Sequence, residues 1–356
     1  MNMMKQAPYI LLVFIFSLSS CGGSPAGRPR RAAEQPVHYA YQHEAPELAP
    51  IPFHVPGDNL PVSTFTEVWG YVVQGREQFL TADMPLTDIA YFAAEVNMFG
   101  RLVGIPNRNA LPAHSARVHL VAVCWGRALS HFVLLPGRPE REALIRDLVE
   151  AARDFDGLQI NFEEVPNQSR ESYFSFLREL RERLPAETMF TVALAARTRR
   201  LENDAYDYET ILPYVDRILV MAYDQHWGGG SPGPVASLPW SRNVANFSLG
   251  VIGADRLIMG MPFYGRAWVN QNHARALIFD SVENVIREHN VTEIRRSQGV
   301  PNFTYDATVT VTLYYNDAYS LTSFMQMYKS MGVTKVGFWR IGQETRDVWN
   351  FIRIAE

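Results

Sequence analysis

The chain has 356 residues, is 47% hydrophobic and 20% charged, and carries a formal net charge of −4. This is an ordinary globular composition, long enough for one large α/β domain with additions or for two small domains. The mild negative balance, with no cluster of Lys and Arg interleaved with aromatics, argues against a nucleic-acid partner.

The N-terminus has one early Lys5 and then an apolar run from Tyr9 to Leu18. That run is too short to span a bilayer as a stable helix and has the proportions of a signal-peptide core. It ends in "LSSC", which resembles the lipobox of bacterial lipoproteins. The resemblance implies removal of residues 1–20, lipid attachment to the Cys21 thiol, and a protein exported to the bacterial cell envelope and anchored there. Gly22 stands where an acidic residue commonly retains lipoproteins in an inner membrane, so with two membranes the outer one is expected. A plain secretory signal with a chance Cys is the alternative. Residues 21–61, rich in Pro, Ala, Gly and charge, show no apolar periodicity and read as a flexible tether. With Cys21 lipidated, the second cysteine, Cys124, has no disulfide partner. It lies in the strand-like "VHLVAVCW" and reads as a small buried hydrophobe.

From residue 62 a rhythm begins. Short apolar or alternating segments recur at 65–73, 88–96, 118–125, 157–164, 189–196, 217–224, 257–265 and 335–342. Helical patterns lie between several of them. "REALIRDLVEAARDF" places Leu144, Ile145, Leu148, Val149 and Ala152 on one stripe, and "ESYFSFLRELRERL" does so with Tyr173, Phe176, Leu177, Leu180 and Leu184. "SLTSFMQMYKSMG" precedes the last strand, with Ser320 as a candidate N-cap and Gly332 as a stop. Strands alternating with helices imply parallel pairing. Eight such units predict an α/β fold, a (β/α)8 TIM barrel, over residues 62–356. A doubly wound sheet competes, but it usually has a Gly-rich phosphate turn after its first strand, and "VVQGREQF" offers a single Gly there. The long gap before the last strand holds a helix-like "SVENVIREHNV" and a strand-like "VTVTLYY". It reads as a small α+β insertion over about residues 271–318, between strands seven and eight.

The fourth segment, "DFDGLQINFEEV", is the most informative. Side chains alternate faces along a strand. Leu158, Ile160 and Phe162 make one face apolar; Gly157, Gln159, Asn161 and Glu163 make the other a neutral polar row ending in a carboxylate. In a barrel the C-terminal strand ends form the site, so Glu163 would stand at the mouth, with Asn161 and Gln159 about 7 and 13 Å below it at roughly 3.3 Å per residue. Buried polar groups need partners, so such a row is either a site or a self-satisfied hydrogen-bond network. Glu164 should face away as loop support.

These residues carry a resemblance. "DGLQINFE" resembles the signature of glycoside hydrolase family 18, Asp-Gly-x-Asp-x-Asp-x-Glu, with Gln159 and Asn161 where the family usually has Asp. "MAYD" at 221–224 resembles the family's strand-six motif, "MPFYGRAW" its strand-seven motif and "GFWRIGQE" its strand-eight end, all in family order. The longer strings look closest to the spore-cortex-lytic and germination-protein branch, which acts on peptidoglycan, without that branch's usual LysM repeats. The resemblance implies Glu163 as general acid, and Asn161 and Tyr223 orienting the substrate's acetamido group. Gln159, Asp224, Tyr264 and Arg266 become substrate contacts, and Trp339 the floor under a sugar. His226 and Trp227 are either loop surface or subsite walls.

In this family the substrate supplies the nucleophile, its own N-acetyl carbonyl oxygen. Two readings stay open: a lipid-anchored glycosidase cleaving β-linked N-acetylglucosamine bonds in peptidoglycan or chitin-like glycan, and a lectin-like barrel that binds an N-acetylglucosamine-containing glycan without turnover. The substitutions at 159 and 161 favour the second; the retained Glu163 favours the first. Without an Asp at 161, burial alone is left to keep Glu163 protonated, which implies a slow enzyme with an early alkaline limb. No His or Cys group has metal-ligand spacing and no phosphate-binding loop is present, so neither metal nor cofactor is expected, and the protein is expected to be a monomer.

Overall fold

The computed structural model describes residues 60–269, 279–297 and 300–356. The signal segment, Cys21 and the tether through residue 59 lie outside the described residues, as does part of the insertion. Among the described residues no helix is long and apolar enough to cross a membrane.

Eight parallel strands form a ring: β1 (Glu67–Val73), β2 (Asp88–Val96), β3 (Arg117–Val123), β4 (Gly157–Asn161), β5 (Met189–Ala195), β6 (Arg217–Met221), β7 (Leu257–Pro262) and β8 (Lys335–Trp339). Each pairs with the next in chain order, and β8 pairs back to β1. That closure rules out the doubly wound sheet, which would leave two open edges.

Helices cover the outside: α1 (Arg127–Leu134), α2 (Pro139–Ala152), α3 (Arg170–Arg183), α4 (Tyr208–Ile211), α5 (Leu238–Ile252) and α7 (Ala318–Ser330). The strands are apolar on both faces because each face is covered. Leu158 and Ile160 of β4, with Phe162 just beyond it, pack under the helices beside the stripes of α2 and α3. Trp69, Val121, Ala193, Leu219 and Ile258 fill the lumen. Cys124 is buried, and that burial pushes its thiol up to about 11.

Three local expectations are corrected. The strands stop earlier than the apolar runs that announce them: β4 ends at Asn161, β6 at Met221, β7 at Pro262 and β8 at Trp339. Beyond those points the chain departs from its neighbours, so Glu163, Tyr223, Asp224 and Tyr264 sit on turns leaving the strands. The cap of α7 is Asp317, not Ser320: Asp317 Oδ1 accepts from Ser320 N–H (2.8 Å) while Ser320 Oγ accepts from Asp317 N–H (2.9 Å), a reciprocal capping box. The excursion between β7 and β8 also opens earlier than residue 271. Arg266–Val269 pairs antiparallel with Val311–Tyr314, enclosing α6 (Phe279–Glu288) and a pairing of Arg295–Ser297 with Val300–Asn302.

The end of the barrel opposite the strands' C-termini is held by a polar plug. Asp88 is fully buried and accepts from His119 Nε2 (2.7 Å), Arg117 and Thr87. The His119 ring stacks on Trp69 at 4.4 Å. This explains Gly157, the first inward residue of β4: a Cβ there would lie 2.2 Å from His119 Nδ1 and 2.6 Å from the Met189 carbonyl oxygen. Asp156 beside it accepts from Val118 N–H (2.7 Å) and Arg108 (2.6 Å), tying the starts of β3 and β4 together. Gly157→Ala should therefore destabilise the fold by about 1–3 kcal/mol through overpacking. Urea denaturation checks this, and an unchanged midpoint would contradict the close approach of His119.

Candidate active site

The C-terminal strand ends surround a cavity of about 480 Å³. Tyr71 of β1 and Trp339 of β8 form one wall, Tyr223 and Tyr264 another, and Trp125 and Trp240 stand at its edges. Asn161 lies at the end of β4 with only 3% of its surface exposed, and Glu163 rises from the next turn. A larger cavity of about 630 Å³ lies between the start of α3 and the 200–210 loop. Three of its acids are engaged in ion pairs, Glu171 with Arg170, Asp204 with Arg197 and Asp207 with Arg200.

Six of the expected site residues meet in the cavity: Asn161, Glu163, Tyr223, Asp224, Tyr264 and Trp339. Arg266 joins them through Asp224, whose Oδ1 takes both the guanidinium Nη2 and the Tyr264 hydroxyl (2.6 Å). Asp224 adopts a left-handed backbone (φ 57°), which Asp tolerates better than most residues. Tyr223 and Tyr264 meet edge to face at 6.2 Å. Trp339 is held edge-on by Tyr71 (5.2 Å) and Phe92 (4.8 Å), presenting an aromatic surface to the cavity.

Gln159 is the exception. It is fully buried one layer below the cavity, away from any ligand. Its Oε1 accepts from the Tyr71 hydroxyl and its Nε2 donates to Thr191 Oγ1 (3.1 Å). The lower half of the polar row is thus an internal network that positions Tyr71; the upper half is the site. His226 and Trp227 lie outside the cavity lining, His226 Nδ1 bonding the Ser231 carbonyl (3.1 Å) and Trp227 being 59% exposed.

Asn161 Nδ2 donates to Glu163 Oε1 (3.1 Å), while Asn161 Oδ1 is buried with no partner. A buried acceptor left open at a cavity floor is suited to an N–H brought by a ligand. Glu163 keeps contact with solvent across the mouth, yet the surrounding walls crowd its carboxyl. Burial, and then the negative charges of Asp224 and Glu164, raise its pKa; the Asn161 amide works the other way by favouring the carboxylate. Burial is therefore not alone in raising the Glu163 pKa, which corrects the expectation from the sequence. The buried Tyr223 hydroxyl is pushed well above its usual range and stays a neutral donor.

Sequence reasoning missed four groups. Tyr71 shares the inward parity of Trp69 along β1, and Trp125 follows the last residues of β3, so both had a faint signal. Trp240, in the first turn of α5, and Tyr206 had none. The Tyr206 hydroxyl donates to the Phe162 carbonyl and accepts from Val165 N–H, both at 2.8 Å, bracing the turn that carries Glu163.

The chain belongs to the glycosyl hydrolases of family 18, whose family model matches residues 127–344. It is 27% identical over 233 residues to the cortical fragment-lytic enzyme of Bacillus subtilis, covering 61% of this chain and 54% of that protein. The chain spans between 49% and 60% of the length of the curated relatives that lead the comparison. Among solved structures, the spore cortex-lytic enzyme SleL of Bacillus cereus aligns with a TM-score of 0.65 at 22% identity, over 82% of this chain and 76% of that one. A class V chitinase from Nicotiana tobaccum, solved in complex with NAG4, aligns with a TM-score of 0.58 at 17% identity, over 81% and 96%. At these identities the structural likenesses establish the shared barrel alone.

Proposed function

We propose that the protein is a lipid-anchored glycosidase that hydrolyses β-linked N-acetylglucosamine bonds in peptidoglycan or chitin-like glycans, with retention at the anomeric carbon. The observation that carries this reading is the Asn161–Glu163 pair: a carboxyl held toward its protonated form beside a buried, open amide oxygen.

In this mechanism the sugar at the cleaved bond lies on Trp339. Asn161 Oδ1 accepts the acetamido N–H, and the Tyr223 hydroxyl donates to the acetamido carbonyl oxygen. That oxygen attacks the anomeric carbon as the bond to the leaving oxygen breaks, and the Glu163 proton passes to the leaving oxygen. A cyclic oxazolinium remains. The Glu163 carboxylate then takes a proton from water, whose oxygen attacks the anomeric carbon, reopens the ring and restores the starting configuration. Asp224, fixed by Arg266 and Tyr264, adds negative charge near the cation. A binding-only barrel has no use for a carboxyl of raised pKa at the centre of its cavity, which favours hydrolysis over the lectin-like alternative.

Glu163→Gln keeps the size of the side chain and removes the proton. With peptidoglycan and chitin oligosaccharides as substrates and products read by mass spectrometry, it should lose about 10²–10⁴-fold in rate. Undiminished hydrolysis would remove Glu163 from the reaction.

The acid is active only while protonated, so activity falls as pH rises through the Glu163 pKa, and a raised pKa extends activity upward. Asn161→Asp adds a like charge and deletes the amide that favours the carboxylate; both changes raise that pKa further. The new carboxylate would also offset the oxazolinium charge. If that gains about 1.4–3 kcal/mol at the transition state, turnover rises by about 10- to 150-fold. Rates across the acid-to-neutral range should show a faster variant with its alkaline limb moved up. A variant no faster at any pH would mean that the neutral amide suits this site.

The envelope anchor rests on Cys21 after the short apolar core. Two or more acyl chains give stable anchoring where one does not. Cys21→Ala should shift the protein from the membrane to the soluble fraction, and unchanged fractionation would defeat the anchor.

A further inference from the structure

On the β1/β8 side of the barrel mouth stand two arginines the mechanism does not use. Arg340 directly follows Trp339, and Arg76 lies three residues beyond the end of β1. The two strands are neighbours in parallel register, so both arginines stand at the C-terminal rim beside the wall made by Tyr71 and Trp339. Arg340 is half-buried and Arg76 exposed. Neither guanidinium has a hydrogen bond or ion pair among the described residues.

The acids close to them are engaged elsewhere. Glu344 Oε2 accepts from the N–H groups of Gly342 (2.7 Å) and Gln343 (2.9 Å), and its Oε1 from the Trp349 indole (3.1 Å). Glu77 Oε1 accepts from Gly75 N–H (2.8 Å) and the Tyr91 hydroxyl. Burial and then the charge of Arg76 pull the Arg340 pKa down, against a weaker upward pull from Glu344. Arginine stays charged regardless, so the free protein carries an unneutralised, partly desolvated cation on the rim, next in the chain to Trp339 and outside the residues that line the cavity. An anion brought by the ligand would relieve both the repulsion and the desolvation.

We propose that Arg340, supported by Arg76, forms a carboxylate-binding subsite that selects glycans with an acidic branch of the muramic acid type over neutral N-acetylglucosamine polymers. The proposal rests on the glycosidase reading and narrows its substrate. A guanidinium matches a carboxylate in a planar two-point hydrogen bond. A chitin-like chain presents only hydroxyl and acetamido groups and leaves Arg340 unpaired. The carboxylate has two sources: the lactyl group where no peptide is attached, or an acid of the attached peptide.

The test compares kcat/KM on three substrates: a chitin oligosaccharide, muramic acid-containing strands with free lactyl groups, and the same strands bearing peptide. In Arg340→Gln the preference for acidic over neutral glycan should fall about 10- to 100-fold, the scale of a hydrogen bond to a charged group. Arg340→Lys should retain part of it, and Arg76→Gln, at an exposed position, should lose a smaller part. Added salt should erode the preference of the wild type more than that of Arg340→Gln. A loss confined to one acidic substrate identifies the source of the carboxylate. An unchanged preference, or equal losses on acidic and neutral glycans, overturns the subsite while leaving the glycosidase standing. If the wild type cleaves none of the three, the glycosidase reading fails, and calorimetric binding of the same glycans decides the subsite: an Arg340→Gln protein that still prefers acidic glycans overturns it.

Discussion

A closed eight-stranded barrel has room in its lumen for side chains and little else. Every polar group that points inward must find its partner within the protein, because water is not there to supply one. The inward row of β4 obeys this constraint at each level. Gly157 gives way to the His119 ring. Gln159 has a donor and an acceptor to satisfy and meets both needs at once with Tyr71 and Thr191; an ionised carboxylate there could only accept. Asn161 is half satisfied, and its open oxygen coincides with the cavity floor. Glu163 is the first member of the row with access to solvent, and it is the first that can afford a charge.

Keeping the row neutral moves the electrostatics outward. With no acid at 161, the negative charges acting on Glu163 are Asp224 and Glu164, both nearer the rim. Asp224 is itself partnered by Arg266 and Tyr264, which anchor it against the wall of the cavity. Beyond this centre the rim carries both signs: acids around Glu163 on one side, and Arg76 and Arg340 on the other.

Glu163, Tyr223, Asp224 and Tyr264 stand on turns rather than on strands, and precision there has to come from bracing. Tyr206 holds the Glu163 turn through two backbone hydrogen bonds, Phe92 and Tyr71 fix Trp339 by edge contacts, and Asp224 is clamped from two directions. These supports come from β1, β2, the segment that follows β7 and the loop after β5. The site therefore depends on ring closure as much as on its own sequence motif.

Much of this was legible in one dimension. Period-two alternation along residues 157–163 marked the inward face with Asn161 and Glu163, apolar runs spaced by amphipathic helices marked the eight units, and the motifs that resemble those of glycoside hydrolase family 18 marked Tyr223, Asp224, Tyr264 and Trp339. These are local properties, determined by the spacing of side chains along the backbone, and the sequence carries them by itself. Where each strand stops was not legible, because a strand ends where its neighbour's hydrogen bonds end, and an apolar run continues past that point. The cap of α7 was misplaced for a related reason: Asp317 and Ser320 satisfy each other, and only geometry says which lies outside the helix. The division of the polar row into network and site, the bracing by Tyr206 and the isolation of two arginines beside Trp339 were decided by tertiary structure alone. Each depends on a group distant along the chain, and the distance at which two such groups meet is set only when the barrel closes.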